Sequence, residues 1–400
     1  RRRAVSSHST HFYQPLAFDK ALTMPGIYLH IPFCKKACHY CNFHFSTSLQ
    51  SKGALLAALH RELEMQSGYL DGQPLGSVYL GGGTPSLLDT AELAALFETI
   101  HLYYKVSADA EVTLEANPDD LNADKIADLK NHTPVNRLSI GIQSFREEDL
   151  VWMNRAHHAT ESVQCLERVV GAGFTDWTAD LIYGLPESND DVWASNVQQL
   201  LDFGAPHLSA YCLTVEQGTA LHHFVQKGQS RPVDEQQALQ QFEYLMDTLA
   251  GRGYEHYEIS NFALPGRYAR HNSRYWLGDS YLGVGPSAHS FDGHSRQWNV
   301  SNNARYIKSI ENGLVPFEKE LITPTMRYNE YVMTRMRTHW GCQLADIQAL
   351  GAVFAGHFEH EIVPLQKKGL VEKAGSGAWK LTQAGKFQAD GVSASLFWVV

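Results

Sequence analysis

Residues 26–41 read GIYLHIPFCKKACHYC: a short apolar run, a Pro-Phe step, then cysteines at 34, 38 and 41. A β-prone run leading straight into a thiol-rich loop puts reactive side chains at the carboxyl end of a strand, where parallel α/β folds do their chemistry. Three thiols at x3 and x2 spacing in one loop can ligate three irons of a cubane, leaving the fourth open to a bidentate incoming group. The competing reading is a zinc knot in which His39 or His44 supplies the fourth ligand that zinc takes. Structural zinc usually draws on paired C-x2–4-C units, which favours the cluster.

Outward from this loop the chain alternates short apolar runs with amphipathic stretches. The pattern predicts strands at Gly26–Ile31, Ser77–Leu80, Glu111–Glu115, Arg137–Ile142, Trp177–Ile182 and His207–Cys212. Between them it predicts helices at Ala54–Met65, from Asp89 with a capping-box start, at Ala123–Lys130 capped by Asn122, at Glu161–Val170 capped by Thr160, at Val192–Phe203 and at Asp234–Ala250. Six β-then-α units imply a parallel sheet with right-handed crossovers. Six units in roughly 220 residues suit an incomplete TIM-like (βα)6 barrel better than a closed eight-unit one. Residues 251–320, rich in Gly, Asn, Tyr, Trp and His, read as irregular loop and strand. From 321 to 400 the pattern gives helices at Arg327–His339, Leu344–Leu350 and Phe354–Lys368, then strands around a Gly-Ser-Gly turn, an α+β winged-helix-like module. The division is thus an N-terminal extension at 1–23, a core at 24–250, an extension at 251–320 and the C-terminal module at 321–400.

Bulk properties narrow the function. Hydrophobic residues make up 44% of the 400 residues, enough for a sizeable core. The 43 Asp and Glu outnumber 33 Lys and Arg, which argues against a nucleic-acid partner. Arg1-Arg2-Arg3 precedes no apolar stretch of signal-peptide type, and no run is long enough to span a bilayer, so the chain reads as cytoplasmic. Cys165, Cys212 and Cys342 read as small buried apolar residues.

The C-x3-C-x-aromatic-C spacing, with Tyr40 as the aromatic residue, resembles the radical S-adenosylmethionine (SAM) superfamily. YLGGGTPS, LEANP, SIGIQSF, DLIYGLP, HNSRYW and GVGPSAHS follow in order, and with them residues 24–397 resemble its HemN-related branch of coproporphyrinogen dehydrogenases and haem chaperones. The resemblance implies a [4Fe–4S] cluster on Cys34, Cys38 and Cys41. It implies SAM held by Tyr28, Tyr40, Gly82, Gly83, Thr84, Glu115, Gln143, Arg155, Asp180 and Thr214, with backbone near Ala288 and His289 approaching the adenine. For any one polar residue of this set a structural role weighs as much as ligand contact. His271, in a stretch resembling the HNxxYW signature of the chaperones, is a candidate haem contact. Its bland reading is a hydrogen-bonding histidine in an aromatic-packed loop.

Three functions follow. The first is a haem chaperone that binds haem or porphyrin and delivers it to respiratory haem proteins, with peripheral membrane contact left open. Phe43, where the related dehydrogenases carry a further cysteine, supports it. The second is oxygen-independent coproporphyrinogen III oxidation, which leaves open whether the chain is an enzyme and, if so, which residues are catalytic. The third is a non-catalytic interaction protein working through the C-terminal module.

Overall fold

The computed structural model describes residues 24–399, so the predicted extension at 1–23 lies outside the described residues. The six predicted strands form as β1 (Gly26–Ile31), β2 (Leu75–Gly82), β3 (Val106–Ala116), β4 (Arg137–Gln143), β5 (Trp177–Tyr183) and β6 (His207–Cys212). They lie side by side in chain order, every pair parallel. The crossovers carry α1 (Lys52–Met65), α2 (Thr90–Tyr103), α3 (Ala123–His132), α4 (Glu147–Trp152), α5 (Ala159–Gly171) and α6 (Asp190–Asp202). After β6 come α7 (Ala220–Gln226) and α8 (Glu235–Gly251). Asp89 caps α2 in a capping box with Glu92 and Asn122 caps α3 as predicted, while Asp234, expected inside its helix, caps α8. The Thr160 cap is corrected: α5 already includes that residue, its entry held by the His158 N–H donating to Glu161 Oε2 at 2.7 Å.

Each strand has two chemically distinct faces, because side chains alternate along an extended chain. Ile27, Leu29, Val78, Leu80, Val112, Leu114, Leu138, Ile140, Ala179 and Leu208 pack outward under the helices in one core. The residues between them, among them Tyr28, Ser77, Tyr79, Glu115, Gln143, Asp180 and Ser209, face inward and are polar. The barrel interior is therefore a polar column inside an apolar jacket.

Residues 251–320, read from sequence as irregular, extend this sheet. Its order is β12-β11-β10-β9-β1-β2-β3-β4-β5-β6-β8-β7, with β7 (Glu255–Glu258), β8 (Asn261–Ala263), β9 (Tyr281–Val284), β10 (His289–Phe291), β11 (Ser295–Asn299) and β12 (Phe317–Leu321). The HNSRYW stretch is no loop but α9 (Arg270–Leu277), and α10 (Asn303–Glu311) packs on α1. These strands are three to five residues long, too short for local periodicity to show, and β9 joins β1 from far off in sequence.

The helix α9 closes the amino end of the barrel. Glu111 accepts the Arg270 and His271 backbone N–H groups at 2.8 and 2.7 Å, a carboxylate on a helix N-terminus. His271 Nδ1 lies 2.8 Å from Ser77 Oγ, and its Nε2 lies 2.8 Å from the Tyr275 hydroxyl.

A second core, built from Tyr328, Val332, Met336, Phe358, Ile362 and Leu396 among others, holds the C-terminal part together. It contains α11 (Pro324–Met336), α12 (Leu344–Leu350), α13 (Ala352–Lys367) and the hairpin β13 (Val371–Lys373)/β14 (Trp379–Leu381). Two short helices the pattern did not reveal, α14 (Gln383–Lys386) and α15 (Ala389–Ser395), follow the hairpin.

Because Glu111 satisfies two donors in a buried floor, Glu111→Ala is expected to lower stability by about 1–3 kcal/mol in chemical denaturation. Iron incorporation at the far end should survive. A variant as stable as its parent would show that α9 does not depend on this carboxylate.

Candidate functional site

At the carboxyl ends of the strands a cavity of about 440 Å³ is lined by Cys34, Cys38, Tyr40, Cys41, Gly82, Gly83, Thr84, Glu115, Gln143, Arg155, Asp180 and Thr214. The loop that carries the thiols is pinned from several sides. The Cys34 N–H donates to Ser46 O at 3.0 Å, the His39 N–H to Met153 O at 3.1 Å, and Asn154 Nδ2 to Ala37 O at 2.8 Å. Lys35 reaches across to Asp119 at 2.6 Å and also pairs with Asp120. The loop is thus anchored to the turns after β3 and α4, though its thiols remain partly exposed.

Arg155 organises the centre. Its Nη1 lies 3.4 Å from Cys38 Sγ and 3.5 Å from the Tyr40 hydroxyl. Nη2 donates to Asn117 Oδ1 at 2.7 Å and to Gly141 O at 2.8 Å, while Nε is buried without a partner. Asn117 Nδ2 in turn donates to Thr84 Oγ1 at 3.3 Å, and the Thr84 hydroxyl points at Cys34 Sγ, 3.6 Å away. Burial pushes the Cys34 thiol up to about 11, against the Thr84 hydrogen bond, and burial raises Cys41 as well. Three thiolates there need a cation to hold them ionised, and filling the site releases protons.

Gly83 makes a close approach. Its N–H donates to Ile31 O at 2.9 Å, and a Cβ would stand 2.6 Å from Phe33 O and 2.7 Å from Phe33 N. Beside it Glu115 accepts from Tyr79 Oη at 2.8 Å and from the Gly82 N–H at 3.0 Å; burial raises its carboxyl. Across the cavity Asp180 Oδ1 has no partner, and burial followed by the Glu115 charge pushes this carboxyl up to about 7. Gln143 ends β4 with φ +65°, a conformation L residues rarely adopt.

The donor set fits a cluster and a polar ligand better than one zinc ion. His39 Nδ1 is 2.7 Å from Trp152 O, its ring edge-on to Phe224, and His44 Nε2 is 2.7 Å from Asn303 Oδ1. Among the described residues no three His, Cys, Asp or Glu side chains converge on a single-ion site. Three spaced thiols, a glycine cradle and an unpartnered carboxylate oxygen remain facing one volume.

Comparison with known proteins agrees with this geometry. Residues 28–197 match the family model of the radical SAM superfamily. A "Heme chaperone HemW" of Mycobacterium tuberculosis is 35% identical over 329 residues, covering 81% of this chain and 84% of that protein. One from Bacillus subtilis is 33% identical over 374 residues, 92% and 98% of the two chains. The chain belongs to the HemW family of radical SAM proteins. The crystal structure of Escherichia coli coproporphyrinogen III oxidase (HemN), described as a radical SAM enzyme, superposes with a TM-score of 0.82 at 23% identity. That match covers 94% of this chain and 90% of that one, and it establishes the shared fold.

The side chains named from sequence line the cavity, except Tyr28 and His271; Ala288 and His289 also stand outside its lining. The Tyr28 ring stacks on Tyr79, 6.0 Å between centroids, and its hydroxyl lies 3.0 Å from His30 Nδ1. His271 is 2% exposed in the barrel floor, with both ring nitrogens hydrogen-bonded, to Ser77 and Tyr275. Asn117 and Tyr211 were missed. Asn117 stands in the quoted LEANP, next to the singled-out Glu115, and Tyr211 sits at an inward position of β6, so inward parity was the available signal.

Two outcomes test this geometry. Gly83→Ala must displace backbone, and its iron content after anaerobic reconstitution is expected to fall well below that of the parent; equal loading would show the turn is not a tight cradle. The second is a pH effect. With its carboxyl raised, folded Asp180 keeps a proton that the unfolded chain gives up, so its contribution is whole below the ordinary carboxylate range and vanishes as pH rises through about 7. In cluster-free protein the melting temperature of Asp180→Asn relative to the parent is expected to climb between roughly pH 4 and pH 7 and to level off above that. A difference that stays flat with pH would refute the shift.

Proposed function

We propose that Cys34, Cys38 and Cys41 hold a [4Fe–4S] cluster, that SAM fills the adjoining cavity, and that the protein binds haem and delivers it to respiratory haem proteins as a chaperone. One observation carries the reading: three thiols, a glycine–threonine turn and a partnerless carboxylate oxygen share one cavity, in a chain that belongs to the HemW family. When bound, the reduced cluster supplies one electron for reductive cleavage at a sulfonium.

The chain's own residues do the rest. Arg155 sets a buried positive charge beside Cys38, lowering the cost of gathering thiolates, and keeps one unpartnered N–H for a carboxylate. Gly83 lets backbone approach the ligand closely, and Thr84 orients a hydroxyl onto Cys34. Asp180, protonated up to about pH 7, can donate to a ligand hydroxyl, while Glu115, steadied by Tyr79 and Gly82, accepts. Phe43 lines the same cavity and is 68% exposed, an apolar face at the rim suited to a flat macrocycle.

This reading divides the chain into a cluster-bearing core at 24–250, an extension at 251–320 that shuts the barrel floor, and a C-terminal module at 321–400. Among the described residues no helix is long and apolar enough to cross a membrane. The proposed compartment is the cytoplasm, with peripheral contact at membranes where respiratory clients reside.

Anaerobic titration of the reconstituted protein with haem is expected to give a stoichiometric Soret shift, weakened in Phe43→Ala. The His271→Ala variant should be less stable yet bind haem with unchanged stoichiometry. Incubation of reduced protein with SAM and coproporphyrinogen III should leave the substrate intact; formation of protoporphyrinogen would replace the chaperone reading with the oxidase one.

A further inference from the structure

Away from the cluster cavity, a second one of about 160 Å³ lies where the C-terminal part meets the sheet edge. It is lined by His256 and Glu258 of β7, by Arg337, Thr338 and His339 after α11, by Glu372 of β13, by Lys380 of β14 and by Lys386 of α14. Its volume is about that of an apolar cavity known to take a benzene-sized guest, roughly 150 Å³. Its walls, however, are charged.

Two carboxylates, Glu258 and Glu372, share the lining with Arg337, Lys380 and Lys386. Among the described residues neither Lys380 nor Lys386 has a carboxylate within ion-pair distance. Lys386 Nζ instead lies 2.9 Å from His256 Nδ1. His256 Nε2 lies 3.1 Å from Ile259 O and donates to it, so Nδ1 is a bare acceptor and the imidazole neutral. Burial, then Lys386, lowers His256 to about 3, and burial lowers the Lys386 ammonium to about 8. His339 Nε2 is buried with no partner. The remaining groups are committed elsewhere. Arg337 pairs with Asp390, and Glu258 is 3% exposed, accepting from the Ser260 N–H at 3.1 Å and from the Asn261 amide. Glu372 is exposed at the mouth. A half-buried ammonium facing a neutral imidazole, a second lysine opposed across the hairpin by the exposed Glu372, and a partnerless ring nitrogen leave hydrogen-bond donors pointing into one volume, where an acceptor-rich ligand would satisfy them.

We propose that this cavity is a binding site for a small oxyanion of the phosphate or carboxylate class, taken by Lys380, Lys386 and His339 of the C-terminal module. The inference stands apart from the cluster, SAM and haem. Its three groups all come from the C-terminal part, and the barrel sheet contributes His256 and Glu258 to the facing wall. Several donors around one volume suit a tetrahedral anion with oxygens on all sides better than a planar one, so phosphate is the favoured member.

Calorimetric titration of the full-length reconstituted protein with sodium phosphate, and separately with sodium acetate at matched ionic strength, tests this. Saturable phosphate binding is expected, with a rise of a few degrees in melting temperature. Acetate binding equally tightly would assign the site to carboxylates and keep the oxyanion reading. The Lys386→Met and Lys380→Met variants are each expected to lose about tenfold or more in phosphate affinity. Without phosphate Lys386→Met is expected to melt somewhat lower than the parent, since it leaves the buried His256 Nδ1 without its donor, so anion affinity and not stability is the deciding readout. Lys386→Arg, which keeps the charge, should retain binding and serves if the Met variant misfolds. Absence of saturable binding by both anions, or unchanged phosphate affinity in both Met variants, overturns the proposal. Retained haem and cluster loading in these variants separates its failure from that of the chaperone reading.

Discussion

The constraint on which the structure depends is the alternation of side chains along six parallel strands. One parity of residues supplies Leu, Ile and Val to the jacket under the helices; the other sends tyrosines, carboxylates, histidines and an arginine into the barrel. A buried polar column is tolerable only when its members find partners, since each unsatisfied group costs about 1–3 kcal/mol. At the amino end they do, apart from the Thr113 hydroxyl. His271 meets Ser77 and Tyr275, Glu111 receives two backbone N–H groups of α9, and Arg137, Thr178, His207 and Tyr257 form one hydrogen-bonded line. At the carboxyl end they do not: Asp180 Oδ1 and Arg155 Nε are left over. The floor is sealed by protein and the mouth is left to a ligand.

That asymmetry explains why the quoted motifs, though alike in sequence specificity, end up with different roles. YLGGGTPS and LEANP lie at carboxyl ends and contribute Gly82, Gly83, Thr84, Glu115 and Asn117 to the cavity. HNSRYW lies at the other end of the same barrel. Its arginine, Arg274, crowds Gly76, its histidine fills the space over Gly26, and the ring of that histidine stacks on Tyr79 at 4.9 Å. Tyr79 in turn donates to Glu115 at the cavity wall. The floor motif therefore touches the mouth through one tyrosine, without lining it.

The legible parts of the sequence were those set by local rules. Strand starts at Gly26, Arg137, Trp177 and His207 follow from apolar runs bounded by turns, and Asp89 and Asn122 announce helices through capping chemistry. The thiol spacing and the glycine turn were legible because close backbone approach restricts residue type. Long-range pairing was not. The four residues of β9 join β1 from some 250 positions away, and nothing in Tyr281–Val284 alone distinguishes a strand from a loop. The position of His271 was illegible for the same reason: a histidine beside two aromatics reads identically at a mouth or in a floor until the helix that carries it is placed.

Electrostatics give the mouth its remaining specificity. An open set of thiols would repel once ionised, and burial holds Cys34 and Cys41 toward their protonated forms. Arg155 is the one guanidinium in the lining of that cavity, and it is fixed by Asn117 and the Gly141 carbonyl rather than by a carboxylate. Its charge is thus left to the thiol side and to whatever enters, while Glu115 offers an acceptor and the raised Asp180 a proton to donate. A ligand with an anionic end and hydroxyl groups finds complementary partners among them, and the large exposed apolar ring, Phe43, stands at the rim. A polar cofactor inside and a flat apolar cargo outside is the division of space these charges favour.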